Sequence, residues 1–186
     1  MKNIYKIIFI VFLSLFLISC DSGKKAFEKD YVMFEGKEHV FKKVSFQKAY
    51  ASLTSKKGYQ IIVFAFDPDY YECPYCMMVL PIINEVALEE GIKEIYYLDI
   101  YMMRKNRDEN YLKLINYLSS QVELEKRNGL DEIIVPDLYI VKDGKVLAHH
   151  IATFKDNDGK YILNLTSEQL IELKTIYRNM FSLKKS

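Results

Sequence analysis

Cys73-Pro74-Tyr75-Cys76 places two thiols three residues apart, a short loop after one apolar run and at the head of another. Residues at i and i+3 lie on one face of a helix, so the Cys76 sulfur can reach that of Cys73 and close a reversible disulfide. A sulfur at a helix N-terminus lies near unpaired backbone N–H groups and the positive end of the macrodipole. Both stabilise thiolate over thiol and lower the pKa. Cys73 is therefore assigned as the nucleophile, and Cys76, deeper in the first turn, as the resolving thiol. Pro74 costs the helix little, because the first turn has no intrahelical use for its missing N–H. Other uses of such a pair fit less well. Zinc needs about four ligands, and no second cysteine pair completes the set; a c-type haem needs His after the second cysteine, where Met77 stands. A static clip stays open as an alternative, although so short a loop constrains the unfolded chain little.

The flanking segments predict the elements that hold this pair. Tyr59 to Phe66 is a near-continuous apolar run rich in β-branched and aromatic residues, which reads as a strand buried on both faces. A turn at Asp67-Pro68-Asp69 follows, and then a helix from the cysteines to Gly91. His39 to Val44 reads as a short strand, Ser45 as the cap of a helix ending at Gly58, and Ile92 to Tyr101 as a second buried strand. Tyr111, Leu112, Ile115, Leu118 and Val122 form one face of a helix from Asp108 to Lys126, ending near Asn128-Gly129. Asp143-Gly144 between two strands signals a hairpin, and Thr166-Ser167-Glu168-Gln169 a capping box before a last helix. Alternating strands and helices followed by a hairpin imply an α/β protein with a mixed sheet covered on both faces.

Three cysteines leave one to explain. Residues 1–20 carry Lys2 and Lys6 ahead of twelve uncharged residues, Ile7 to Ile18, too short to span a bilayer comfortably but of the length of a secretory signal. Leu17-Ile18-Ser19-Cys20 resembles the lipobox of bacterial lipoproteins. That resemblance implies a signal peptide over 1–19 and a diacylglycerol on Cys20, followed by a tether over 20–37 and a folded domain over 38–186. It also implies an extracytoplasmic, lipid-anchored protein whose two acyl chains hold it at the membrane. The whole chain, 186 residues with 50% hydrophobic and 27% charged, is long enough for one globular domain. Its 26 basic and 25 acidic residues give net charge +1 with no long run of either sign. This balance offers no nucleic-acid groove, and it implies that substrate is not found by charge.

Residues 61–91 and 130–150 resemble a thioredoxin-fold protein. The dithiol is of glutaredoxin type, while the helix after it follows the thioredoxin pattern, with Pro81 five residues past Cys76 where that family kinks its active-site helix. Pro136 in Ile134-Val135-Pro136-Asp137 matches the family's cis-proline, which faces the dithiol. The resemblance implies thiol-disulfide exchange through Cys73 and Cys76, with Pro74, Tyr75, Val135 and Pro136 contacting substrate and the Val135 backbone pairing with an extended segment. It implies no cofactor and no metal. Expected partners are protein or peptide thiols and disulfides, and a membrane redox partner. Lipid anchoring with this layout is also similar to bacteriocin transport accessory proteins. A rival class is a non-catalytic binding module of the same fold that holds a secreted peptide or a transporter.

Some family features are missing. Glu72 replaces the tryptophan before the first cysteine, and Ile62 to Phe66 contains no buried acid, which leaves Glu72 or water to move the Cys76 proton. Tyr70, Tyr71, Tyr75, Met77 and Met78 could form an apolar docking rim. His149 and His150, adjacent on a strand, point to opposite faces and make no metal pair. Asp156-Asn157-Asp158-Gly159 reads as a turn, because Phe154 occupies the first ligand position of a calcium loop.

Overall fold

A computed structural model describes residues 22–185; the segment read as a signal peptide and Cys20 lie outside them. In chain order the elements are α1 (22–30), β1 (Phe41–Lys43), α2 (Phe46–Leu53), β2 (Tyr59–Ala65), α3 (Pro74–Glu89), β3 (Ile95–Asp99), α4 (Tyr101–Asn106), α5 (Glu109–Ser119), β4 (Glu125–Arg127), β5 (Leu130–Glu132), β6 (Asp137–Lys142), β7 (Lys145–Ile151) and α6 (Ser167–Ser182). Five strands form one sheet in the order β1-β3-β2-β6-β7. The first three are parallel, whereas β6 and β7 run antiparallel to their neighbours. With helices on both faces, this is the thioredoxin fold.

The apolar run of β2 explains its central place: Ile61 to Ala65 are all buried between β3 and β6. On one face α3 packs against α6, with Lys174 and Arg178 reaching Glu85 and Glu89 at 2.5 and 2.8 Å. On the other, the Tyr117 hydroxyl of α5 donates to the Leu53 carbonyl of α2 at 2.6 Å and the Gly144 carbonyl at 2.9 Å. The capping box forms as expected, the Thr166 side chain taking the Gln169 N–H while the Gln169 side chain takes that of Thr166. Asp143 and Gly144 both have positive φ, the conformation their hairpin turn requires.

The tether expected over 20–37 is corrected from residue 22 onward. Residues 22–30 are helical and a 3-10 turn follows at Val32–Phe34. Phe27, Tyr31 and Phe34, spaced i, i+4 and i+7, are buried, and the Phe27 ring lies 4.7 Å from Phe41 and 5.2 Å from Tyr97. That stripe, hidden among charged neighbours, runs from α1 into the 3-10 turn, and burying each aromatic ring stabilises the fold by about 1.5–3 kcal/mol.

Other boundaries also differ. α2 stops short of Gly58, β3 is shorter than the run Ile92 to Tyr101, and α4 takes over at Tyr101. α5 ends at Ser119 rather than near Lys126. Asn128-Gly129, expected to stop that helix, instead turns the β4–β5 hairpin, both residues having positive φ.

Candidate active site

β2 delivers the chain to the C-terminal edge of the sheet, and the loop from Phe66 to Cys73 carries it to α3. Asp67 organises that loop: its carboxylate accepts from the Asp69 N–H at 3.0 Å and from Lys43 at 3.3 Å. Its own N–H donates to Asp99 at 3.2 Å. Lys43 also pairs with Asp30 of α1 at 2.5 Å, and the Tyr31 hydroxyl donates to the Phe66 carbonyl. Burial raises the carboxyls of Asp30 and Asp99 above the usual carboxylate range, despite the lysine near both.

Cys73 is the N-cap of α3. Its φ and ψ of −106° and 95° are extended, and its sulfur accepts the Cys76 N–H at 3.2 Å, where a serine or aspartate cap would place its oxygen. The two sulfurs are bonded, with the Cα atoms 5.2 Å apart. Cys76 is fully buried, whereas Cys73 keeps 4% exposure and lines an open groove of about 880 Å³. The same groove is lined by Pro74, Tyr75 and Val135. The Val135-Pro136 bond is cis, and the Pro136 carbonyl accepts the Ala152 N–H at 2.7 Å, fixing the proline to the end of β7.

The structure thus gathers Cys73, Pro74, Tyr75 and Val135 at one groove, with Pro136 next to Val135 in the chain. Tyr75, expected to contact substrate, already spends its hydroxyl on the Tyr161 carbonyl at 2.7 Å. Glu72 is exposed. Of the expected apolar rim, Tyr70, Tyr71 and Met77 are exposed, while Tyr75 and Met78 pack against the core. Tyr71 also stacks on Tyr101 at 5.5 Å, with Phe66 edge-on at 5.7 Å, so the groove has an aromatic wall.

Two features of the site were not read from the sequence. The first is Asp137, directly after Pro136 and fully buried, which accepts from the Tyr139 hydroxyl at 2.6 Å and lies 3.2 Å from His149 Nδ1. Burial raises its carboxyl pKa in spite of both partners. A Pro-Asp pair reads simply as a strand start, so no sequence signal marked it. The second is charge. The near-balance of charge over the whole chain does not hold locally: the groove is lined by seven Lys and Arg residues against Glu125 and Glu132. Both carboxylates are engaged, Glu132 by Arg104 and Arg127, Glu125 by Lys155. Near neutrality of the whole chain concealed this because charge balance carries no positional information.

The remaining candidates follow expectation. His149 faces Asp137 and Tyr139, while His150 faces Tyr177 on α6. Asp156 closes a turn, accepting from the Asp158 and Lys160 N–H groups at 2.9 Å each.

No protein-family model and no curated protein sequence matches the chain. Among solved structures it is similar to oxidised thioredoxin O2 from Arabidopsis thaliana, at 15% identity and TM-score 0.45 over 77% of this chain and 96% of that one. A thioredoxin variant from Halobacterium salinarum is 18% identical, with TM-score 0.41 over 76% and 91% of the two chains. Thioredoxin of Malassezia sympodialis is 13% identical, with TM-score 0.41 over 75% and 90%.

Proposed function

We propose that this chain is a thiol-disulfide oxidoreductase, anchored outside the cytoplasm through a lipid on Cys20, that exchanges disulfides with protein or peptide substrates. The observation that carries the proposal is the bonded Cys73–Cys76 pair at the head of α3, with Cys73 capping the helix and opening to the groove while Cys76 is enclosed. In the reduced protein a Cys73 thiolate would inherit the Cys76 N–H and the positive helix end, both of which favour the anion. It attacks one sulfur of a substrate disulfide, forming a Cys73–substrate bond and expelling the other substrate sulfur as thiolate. Cys76, deprotonated, then attacks the Cys73 sulfur and expels the second substrate thiolate. Two electrons pass to the substrate, its two sulfurs take up the two protons released by the cysteines, and the enzyme is left as the disulfide. Run backwards, the same steps oxidise a dithiol substrate.

The lipid anchor rests on Leu17-Ile18-Ser19-Cys20 and its basic, apolar lead. The test is mixed-disulfide trapping in native membranes with Cys76→Ala. Adducts on Cys73 that vanish in Cys73→Ser support exchange and identify the substrates. Absence of any adduct, with exchange unaffected by Cys73→Ser, refutes it and favours a binding module that uses the bridge as a clip. Release of labelled acyl chains from the wild type and not from Cys20→Ala tests the anchor separately.

A further inference from the structure

The groove beside Cys73 concentrates positive charge that the sequence scatters. Its cations come from α4, from the β4–β5 hairpin and from the loop between β7 and α6. Seven cations and two carboxylates give the lining a formal charge of +5 in a chain of net +1, so the rest of the molecule carries −4. Neutralisation within the groove stops at the three cations that share the two glutamates. Lys105, Arg107, Lys126 and Lys160 have no carboxylate within ion-pair distance among the described residues. Two of these cationic heads rest on aromatic faces, Lys105 Nζ over the Tyr101 ring at 5.7 Å and the Arg107 guanidinium over Tyr111 at 5.8 Å, contacts that position the cations without cancelling charge. A cleft lined by one sign of charge focuses its field and raises the local concentration of the opposite sign.

Cys73 opens to the groove, so a substrate bound there would bring its sulfur to Cys73. At about 880 Å³ the groove is far larger than a disulfide alone needs, and its wall of Phe66, Tyr71 and Tyr101 offers apolar contact beside the cations. We propose that the substrates of this enzyme are polypeptide segments in which Asp or Glu residues flank the reacting cysteine, the acidic side chains lying on Lys105, Arg107, Lys126 and Lys160 while the sulfur meets Cys73. This deepens the exchange function proposed above and rests on it for the chemistry, but not for binding. Acidic flanks would otherwise slow exchange, since a carboxylate near a disulfide repels an incoming thiolate; the groove converts that penalty into selection.

The test uses the full chain in detergent and two synthetic peptides, each closed by one disulfide, identical except for Glu or Gln at the flanking positions. In single-turnover reduction by the reduced enzyme at about 50 mM salt, the Glu peptide is expected to react at least about tenfold faster than the Gln peptide. The ratio should fall toward one near 500 mM. In the variant combining Lys105→Gln, Arg107→Gln, Lys126→Gln and Lys160→Gln the ratio should approach one even at low salt. It should persist when Lys29 and Lys113, exposed lysines outside the groove, are replaced instead. A second arm measures binding of labelled, pre-reduced Glu peptide to Cys73→Ser/Cys76→Ser protein, where no exchange is possible. Equal rates for the two peptides, or a preference that survives the fourfold replacement, overturns the proposal while leaving the exchange function standing. No reduction of either peptide, with salt-sensitive binding of the Glu peptide retained, overturns the exchange function and keeps the acidic ligand. Glutathione disulfide reacting as fast as the Glu peptide, with the same salt dependence, overturns the assignment to polypeptides.

Discussion

His149 and His150 are neighbours on β7, yet their surroundings push them in opposite directions, and His150 gives a prediction with a definite size. Its ring meets Tyr177 of α6 at 5.4 Å, and burial, aided by the charge of His149, pulls its pKa down to about 4. In the unfolded chain the same imidazole takes up its proton near pH 6.5. Between those values the unfolded state binds more protons than the folded one, so stability falls as pH drops from about 6.5 towards 4 and the loss levels off below. At 1.36 kcal/mol per pH unit the full gap is worth about 3 kcal/mol, of which about 2.5 kcal/mol is gone by pH 4.5. His150→Gln removes the titration while keeping a polar side chain of similar reach. Urea unfolding of the oxidised protein at pH 7.5 and pH 4.5 reads the effect. With a slope of about 2 kcal/mol per molar urea, the wild-type midpoint should drop by about 1 M more than that of the variant. Parallel midpoints across this range, or a variant more acid-sensitive than wild type, would refute the assignment of acid lability to His150.

The opposite limb belongs to His149: its hydrogen bond to Asp137 raises its pKa, and burial raises that of Asp137. The folded pair therefore holds protons longer than the unfolded chain, and stability falls as pH rises above about 6.5; His149→Gln should flatten that decline in urea midpoints measured from pH 6 to 9. Phe27→Ala should cost about 3–5 kcal/mol in urea unfolding, and an unchanged midpoint would show that α1 adds nothing to the core. Asn84 bridges two strand-entry groups, accepting from the Val40 N–H at 3.0 Å and donating to the Glu38 carbonyl at 3.2 Å. Asn84→Ala strands both and should cost about 1–3 kcal/mol, with amide exchange at Val40 accelerating in step. Thr166→Ala should lower stability by about 1 kcal/mol through loss of the α6 cap, whereas Thr166→Asp should retain most of it.

The sheet and dithiol were legible because each is announced by a local pattern. Ile61 to Ala65 must be buried on both faces, Cys73 and Cys76 share a helix start, and Thr166 and Gln169 fix the head of α6. What went unread lacks such patterns. α4 has Ile100 as its N-cap, which offers no capping side chain, and follows a strand without any breaker, so Tyr101 reads as more strand. Glu125-Lys126-Arg127 and Leu130-Asp131-Glu132 show no apolar alternation, so the first reads as the end of the helix expected to Lys126 and the second carries no strand signal. Residues 22–37 contain enough charge to read as solvated, although Phe27, Tyr31 and Phe34 fall on one helical face. The groove was the least legible feature, since its cations lie in three stretches that become neighbours only in the folded chain.

The early start of α1 changes what a lipid on Cys20 would do. Ser22 is already in the helix, so only Asp21 stands between it and Cys20, and the two Cα–Cα steps reach about 7 Å at most. The far end of the same helix and the residue after it hold the loop that leads to Cys73, Asp30 through Lys43 and Asp67, Tyr31 through the Phe66 carbonyl. A lipid placed so near α1 would thus be joined to the reacting sulfur through folded chain and not through a tether. A dithiol on a long leash would sweep a hemisphere; one joined this closely would stay in a thin layer beside the membrane, and clients would have to present their disulfides within that layer.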